Sequence, residues 1–118
     1  MVNLSEIAVV IVAAGRGERA GSPEAGPKQY RAIGAEPIIR HTIRRFAGHP
    51  SVGRIVVAIH KDDRALFDEA AGDFSSRVVP VLGGATRQES TLFALRALAD
   101  HPPGTVLIHD AVRPFVDI

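Results

Sequence analysis

Val9-Val10-Ile11-Val12-Ala13-Ala14-Gly15-Arg16-Gly17-Glu18-Arg19, followed nine positions later by Lys28-Gln29-Tyr30, decides how this chain is read. An unbroken aliphatic run that ends in small residues is the pattern of a strand covered on both faces in a parallel sheet. The glycine-spaced basic loop behind it brings backbone amides, Arg19 and Lys28 to the end of that strand, an arrangement suited to a polyphosphate. Gly15 and Gly17 are expected to let the backbone turn and approach a ligand where a Cβ would collide. Arg19 offers a bidentate fork to phosphate oxygens and Lys28 a point charge. The plainer alternative is an ordinary glycine loop with solvated cations.

Outward from this stretch the punctuation continues. Residues 13 to 37 hold five glycines and three prolines among scattered charges, which predicts an extended loop, and a loop of that length in a compact domain usually has a function. Ile38, Ile39, Thr42, Ile43 and Phe46 recur at helical spacing after Pro37, and Gly48 and Pro50 end that helix. Arg54 to Ile59 reads as a second buried strand, 62 to 71 as a helix starting at Asp62 or Asp63, and Arg77 to Leu82 as a third strand. Thr86 to Leu98 reads as a second long helix and Thr105 to His109 as a fourth strand. The alternation predicts an α/β fold of Rossmann-like, doubly wound type, a mostly parallel sheet with right-handed crossovers, in one domain over residues 1–118.

Ligands of such sheets lie beyond the carboxyl ends of the strands, and the candidate residues gather there: Gly15 after the first strand, Gly83-Gly84 after the third, Asp110 after the fourth. In Gly83-Gly84-Ala85-Thr86-Arg87-Gln88-Glu89-Ser90, the Thr86 and Glu89 pair fits a capping box, and Arg87 and Ser90 fall in the first turns of the helix. Amides at that helix start can meet the polar edge of a ligand; a mere turn with its N-cap is the alternative. Asp110, at the end of a buried strand, needs a partner or a metal, and a hard oxygen ligand there suits Mg2+ bridging phosphate oxygens. Capping a turn or pairing with Arg113 is the alternative for Asp110. His109 reads as a packed strand-end residue, because no partner stands at metal-binding spacing. The charges at Lys61-Asp62-Asp63-Arg64 and Arg44-Arg45 read as solvated helix faces.

Several classes are excluded. Gly15-Arg16-Gly17-Glu18-Arg19-Ala20 satisfies the dinucleotide fingerprint formally, yet Gly21, Pro23, Gly26 and Pro27 forbid the helix that such a site needs. No Gly-Lys-Ser/Thr triplet makes a Walker loop, and no nucleophile elbow supports covalent hydrolysis. A net charge of +1 and 5% aromatic residues give neither a field nor a stacking surface for nucleic acid. The absence of cysteine rules out disulfides and thiolate zinc sites and fits a cytoplasmic setting. The first apolar run is too short to span a membrane and has no basic flank of a secretory signal.

Four motifs in this order and spacing, Ala13-Ala14-Gly15-x-Gly17-x-Arg19, Pro27-Lys28-Gln29-Tyr30, Gly83-Gly84-x-x-Arg87-x-x-Ser90 and His109-Asp110-Ala111-x-Arg113-Pro114, closely resemble the 2-C-methyl-D-erythritol 4-phosphate cytidylyltransferase family. The resemblance implies transfer of CMP from CTP to a sugar-alcohol phosphate with release of pyrophosphate, in isoprenoid precursor synthesis. It implies that Arg19 and Lys28 stabilise the α-phosphate in the transition state and that Asp110 holds Mg2+. It implies further that Ala13, Ala14, Gly15, Gly17, Gly84, Ala85, Arg87 and Ser90 form the nucleotide site, with Arg87 supporting its loop, and that Arg113 faces the second substrate. The family often has an acidic residue where Ala85 stands, so a main-chain contact is the one expected there. By the same resemblance the chain is an amino-terminal portion, a homodimer when full length, with an incomplete sheet that leaves an edge and part of the core exposed. Alternatives are a pentitol-phosphate (ribitol 5-phosphate) cytidylyltransferase, the start of a bifunctional cytidylyltransferase and cyclodiphosphate synthase, and a non-catalytic nucleotide-binding remnant.

Overall fold

A computed structural model describes residues 3–15, 28–30 and 32–111. The first run forms β1 (Asn3–Ala13), whose aliphatic side chains are buried on both faces from Ala8 to Ile11. A 3-10 turn at Lys28–Tyr30 and a two-stranded hairpin, β2 (Ala32–Ile33) and β3 (Glu36–Pro37), occupy the end of the expected loop. The hairpin reverses at Gly34, whose φ of +66° is open to glycine at little cost and is the feature that a glycine count alone does not reveal.

Helix α1 (Ile38–Ala47) begins directly after Pro37 and stops at Gly48, as the spacing predicts, and it buries Ile39, Thr42, Ile43 and Phe46. Strand β4 (Val52–Ile59) starts two residues before the expected position. A 3-10 turn at Lys61–Asp63 then delays α2 (Arg64–Ala71), because the His60 ring Nδ1 and carbonyl take the Asp62 and Asp63 amides in tight i-to-i+2 and i-to-i+3 bonds. Asp63, expected on a solvated face, is buried instead, at the head of α2 where the helix dipole favours a carboxylate. A further 3-10 stretch at Gly72–Arg77 leads into β5 (Val78–Leu82). Helix α3 (Arg87–Arg96) ends before Leu98, its last turn tightened by i-to-i+3 bonds at Ala97, Leu98 and Ala99. Strand β6 (Pro103–Asp110) extends beyond the expected strand at both ends.

The main sheet is parallel in the order β5-β4-β1-β6. Alternation along β1 and β4 divides the core in two. Val9, Ile11, Ile55, Val57 and Ile59 pack with α1 and α2 on one face, while Ala8, Val10, Val56 and Ala58 pack with Ala94 and Leu98 of the α3 segment on the other. The sheet is therefore doubly wound. The chain moves outward from β1 through β4 to β5 and then returns to place β6 on the other side of β1. That reversal opens a crevice at the carboxyl ends of β1 and β6, the switch point at which ligands bind in folds of this type.

Candidate functional site

The crevice is built from three chain segments. β1 delivers Ala13, Ala14 and Gly15; Val12 is in register with Asp110 of β6, and the Ala111 amide donates to the Val12 carbonyl at 3.1 Å. The segment after β5 closes over β1 from the far side. The Gly83 amide donates to the Ile59 carbonyl at 2.8 Å, and a Cβ on Gly83 would lie 2.4 Å from the Ala14 Cβ, so the two loops touch through a missing side chain. Here glycine is needed for close approach, with ordinary backbone dihedrals. Gly15 has no positive φ either, and among the described residues nothing lies within 4 Å of its would-be Cβ. Gly15 thus follows β1 without a positive φ.

The start of α3 is preorganised. Thr86 Oγ1 accepts from the Glu89 amide at 3.1 Å, the N-cap bond that the sequence predicts. The return bond of the capping box shifts by one residue, since Glu89 Oε1 accepts from Ala85 rather than Thr86, at 2.9 Å. Ser90, only 2% exposed, turns its Oγ to accept from the Gly84 amide at 3.1 Å. Ala85 is exposed, and its amide is the one that Glu89 holds. Arg87, at the start of the same helix, reaches across to β6, where its Nε lies 3.1 Å from Asp110 Oδ1. The pairing with Arg113 foreseen for Asp110 falls outside the described residues; Arg87 is a partner that the sequence reading did not name.

Two polar residues that sequence reasoning passed over hold the site together. Gln29, 4% exposed, donates from Nε2 to the carbonyls of Ala13 at 2.7 Å and Gly15 at 3.1 Å. It thereby ties the turn that carries Lys28 to the end of β1. Thr42 appears in the sequence as part of an apolar stripe, yet its buried Oγ1 donates to the Ala111 carbonyl at 2.8 Å and braces the residue that follows Asp110. A polar residue inside an otherwise apolar helical stripe is the signal that could have found it. His109 packs edge-on against Phe46 with ring centroids 5.2 Å apart, the packed role expected of it. Gly17, Arg19 and Arg113 lie outside the described residues.

The donor set also limits the metal chemistry. Among the described residues no group of three or more His, Cys, Asp or Glu side chains could enclose a metal ion. Among the described residues, a half-exposed carboxylate such as Asp110 at these strand ends suits an ion that keeps its waters and takes phosphate oxygens, which is how Mg2+ binds, and suits a caged ion poorly. No described helix is long and apolar enough to cross a membrane.

Comparison with known proteins agrees with this geometry. Residues 7–118 match the family described as 2-C-methyl-D-erythritol 4-phosphate cytidylyltransferase. The bifunctional enzyme IspD/IspF of Mesorhizobium japonicum is 60% identical over 111 residues, which is 94% of this chain and 27% of that protein. Its namesake in Chelativorans sp. is 55% identical over 111 residues, again 94% of this chain and 27% of that protein. The chain thus spans about a quarter of the length of these relatives. Among solved structures, the 2-C-methyl-D-erythritol 4-phosphate cytidylyltransferase of Francisella tularensis is 30% identical with a TM-score of 0.73, covering 97% of this chain and 48% of that one.

Proposed function

Because the chain belongs to the 2-C-methyl-D-erythritol 4-phosphate cytidylyltransferase family, we propose that it carries the CTP-binding part of an enzyme that transfers CMP to 2-C-methyl-D-erythritol 4-phosphate. The observation that carries this reading is the contact of the Gly83–Ser90 segment with Ala14 beside Asp110, three strand ends brought to one crevice. In the reaction a phosphate oxygen of the alcohol phosphate bonds to the α-phosphorus of CTP. The bond from that phosphorus to its bridging oxygen breaks, and pyrophosphate leaves with the electron pair.

Such a displacement needs no protein nucleophile. It needs positioning and charge stabilisation where negative charge builds on the α-phosphate oxygens. Arg19 and Lys28 take that task in our reading, and Arg113 faces the second substrate. Ala13, Gly84, Ala85 and Ser90 meet the base, largely through main-chain groups held by Gln29, Glu89 and Ser90 Oγ. Nucleotidyltransferases commonly use a divalent metal; Mg2+ held by Asp110 would neutralise charge on the triphosphate. A chain without cysteine fits a reducing cytoplasm, where we place the protein, and membership of the family is the ground on which we further propose that the enzyme works as a homodimer.

The decisive test is Lys28→Ala in the gene product, assayed for CTP-dependent release of pyrophosphate with methylerythritol phosphate. Loss of one transition-state cation lowers kcat by about 10²-fold or more with a small change in KM for CTP. An unchanged kcat with a raised KM would contradict the role. That these relatives are bifunctional enzymes favours a second activity on the same polypeptide, namely cyclodiphosphate synthesis. The mass of the gene product, with an assay for cyclic diphosphate formation, tests that.

A further inference from the structure

Arg87 is the first residue of α3, where its positive charge faces the positive end of the helix dipole. Glutamate, glutamine or alanine would serve the helix better there, so the residue stands against local preference, and such positions tend to serve a site. Its partner is Asp110 at the end of β6, with Nε 3.1 Å from Oδ1. The Arg87 side chain is 57% exposed and that of Asp110 34%, so water reaches the pair and separating it costs little. A deeply buried pair would resist separation; this one is suited to exchange.

We propose that Arg87 is a displaceable counter-ion for Asp110: it is one partner of the carboxylate and gives it up to a divalent cation. This rests on the reading of Asp110 as the cation ligand. An ion about 2 Å from a carboxylate oxygen would lie within a few ångströms of the guanidinium, and the two positive charges repel. The guanidinium then swings away. Arg87 belongs to the same segment as Gly83, Gly84 and Ala85, whose amides are held by Ile59, Ser90 and Glu89. Cation binding is therefore linked to the arrangement of the segment that meets the base. By reciprocity, a nucleotide that draws Arg87 away from Asp110 tightens the cation by the same factor. The counter-ion thus favours joint arrival of nucleotide and metal over metal alone.

The test uses Mn2+ binding to the nucleotide-free chain, followed by electron paramagnetic resonance, together with the arginine Nε–H resonances during a Mg2+ titration. One Nε–H signal, identified by its disappearance in Arg87→Lys, is expected to shift or broaden with the midpoint of cation binding. Arg87→Gln is expected to bind Mn2+ about two- to fivefold more tightly, the range that an exposed ion pair corresponds to. If Asp110→Asn abolishes binding while Arg87→Gln binds as wild type does, Asp110 stands as the ligand and the counter-ion proposal is overturned. A tighter Arg87→Gln with an Nε–H signal indifferent to Mg2+ also overturns it, since only long-range charge would then be at work. If Asp110→Asn binds Mn2+ as wild type does, the reading of Asp110 itself fails, and the proposal with it.

Discussion

A Cβ at position 83 would lie 2.4 Å from Ala14 Cβ and 2.7 Å from Ser90 Oγ, closer than real carbon contacts, whereas a Cβ at position 15 would meet nothing within 4 Å among the described residues. The two glycines therefore differ in kind, although both follow strands in the sequence. Gly83→Ala forces apart the end of β1 and the start of α3, costing about 1–3 kcal/mol as overpacking, while Gly15→Ala leaves stability nearly unchanged. Denaturant melts of both variants check this; equal losses would contradict the close approach at Gly83. Residue identity pointed to the glycines and to Lys28, Arg87, Ser90 and Asp110 as a group. It did not point to Gln29 or Thr42, because an amide or hydroxyl matters here only through carbonyls 16, 14 and 69 positions away.

At the scale of elements, ion pairs join the ends of strands and helices. In β4 three steps, from Val52 to Ile55, match two in β1, from Ile7 to Val9, and this irregularity leaves the Arg54 amide free to donate to Glu6. Glu6 also takes the Arg54 guanidinium in a bidentate pair, Nε to Oε2 at 2.8 Å and Nη2 to Oε1 at 2.6 Å, which holds its carboxyl below the usual range despite opposing burial. At the head of α1, Arg44 and Arg40 both hold Glu36, whose pKa falls to about 2. Arg40 also donates to the carbonyls of Ala70 and Ala71, closing the C-terminal end of α2, pairs with Asp73 and lies over the Phe74 ring.

A carboxyl whose folded pKa is depressed adds stability that is complete above its ordinary pKa of 4.5 and is lost as the pH falls towards about 2. Glu36→Gln is expected to lose less stability than the wild type between pH 5 and about 2.5, and the difference shrinks at high salt because the cluster lies near the surface. Denaturant titrations across that range check it; parallel acid limbs would remove Glu36 from the account.

For the whole molecule, the consequence of strand order is that among the described residues β6 ends the sheet beside β1, with Ile108 43% exposed on the face that carries α3. The other edge, β5, is interrupted by Pro80, a residue that cannot extend a ladder and so protects an edge. β6 carries Pro103 only at its start. Self-association of the chain is therefore expected through β6, and Ile108→Lys is expected to shift sedimentation towards monomer, while Leu82→Lys on the proline-protected edge changes it less. Equal effects of both substitutions would show that exposed apolar area in general is responsible, and not the β6 edge.

The sequence by itself determined the kinds of element and their order, because each has a local signature: aliphatic runs for strands buried on both faces, the helical spacing of Ile39, Thr42, Ile43 and Phe46, and glycine and proline where these stop. It also determined that the candidate residues stand at strand ends. Only the tertiary structure decided which ends meet: that β6 returns beside β1, that Gly83 presses on Ala14, that Arg87 takes Asp110 and that Gln29 fastens the Lys28 turn to β1. These contacts join segments far apart in the chain. Their selection depends on burying both faces of one sheet at once, a requirement of the assembled core that no local stretch of sequence carries.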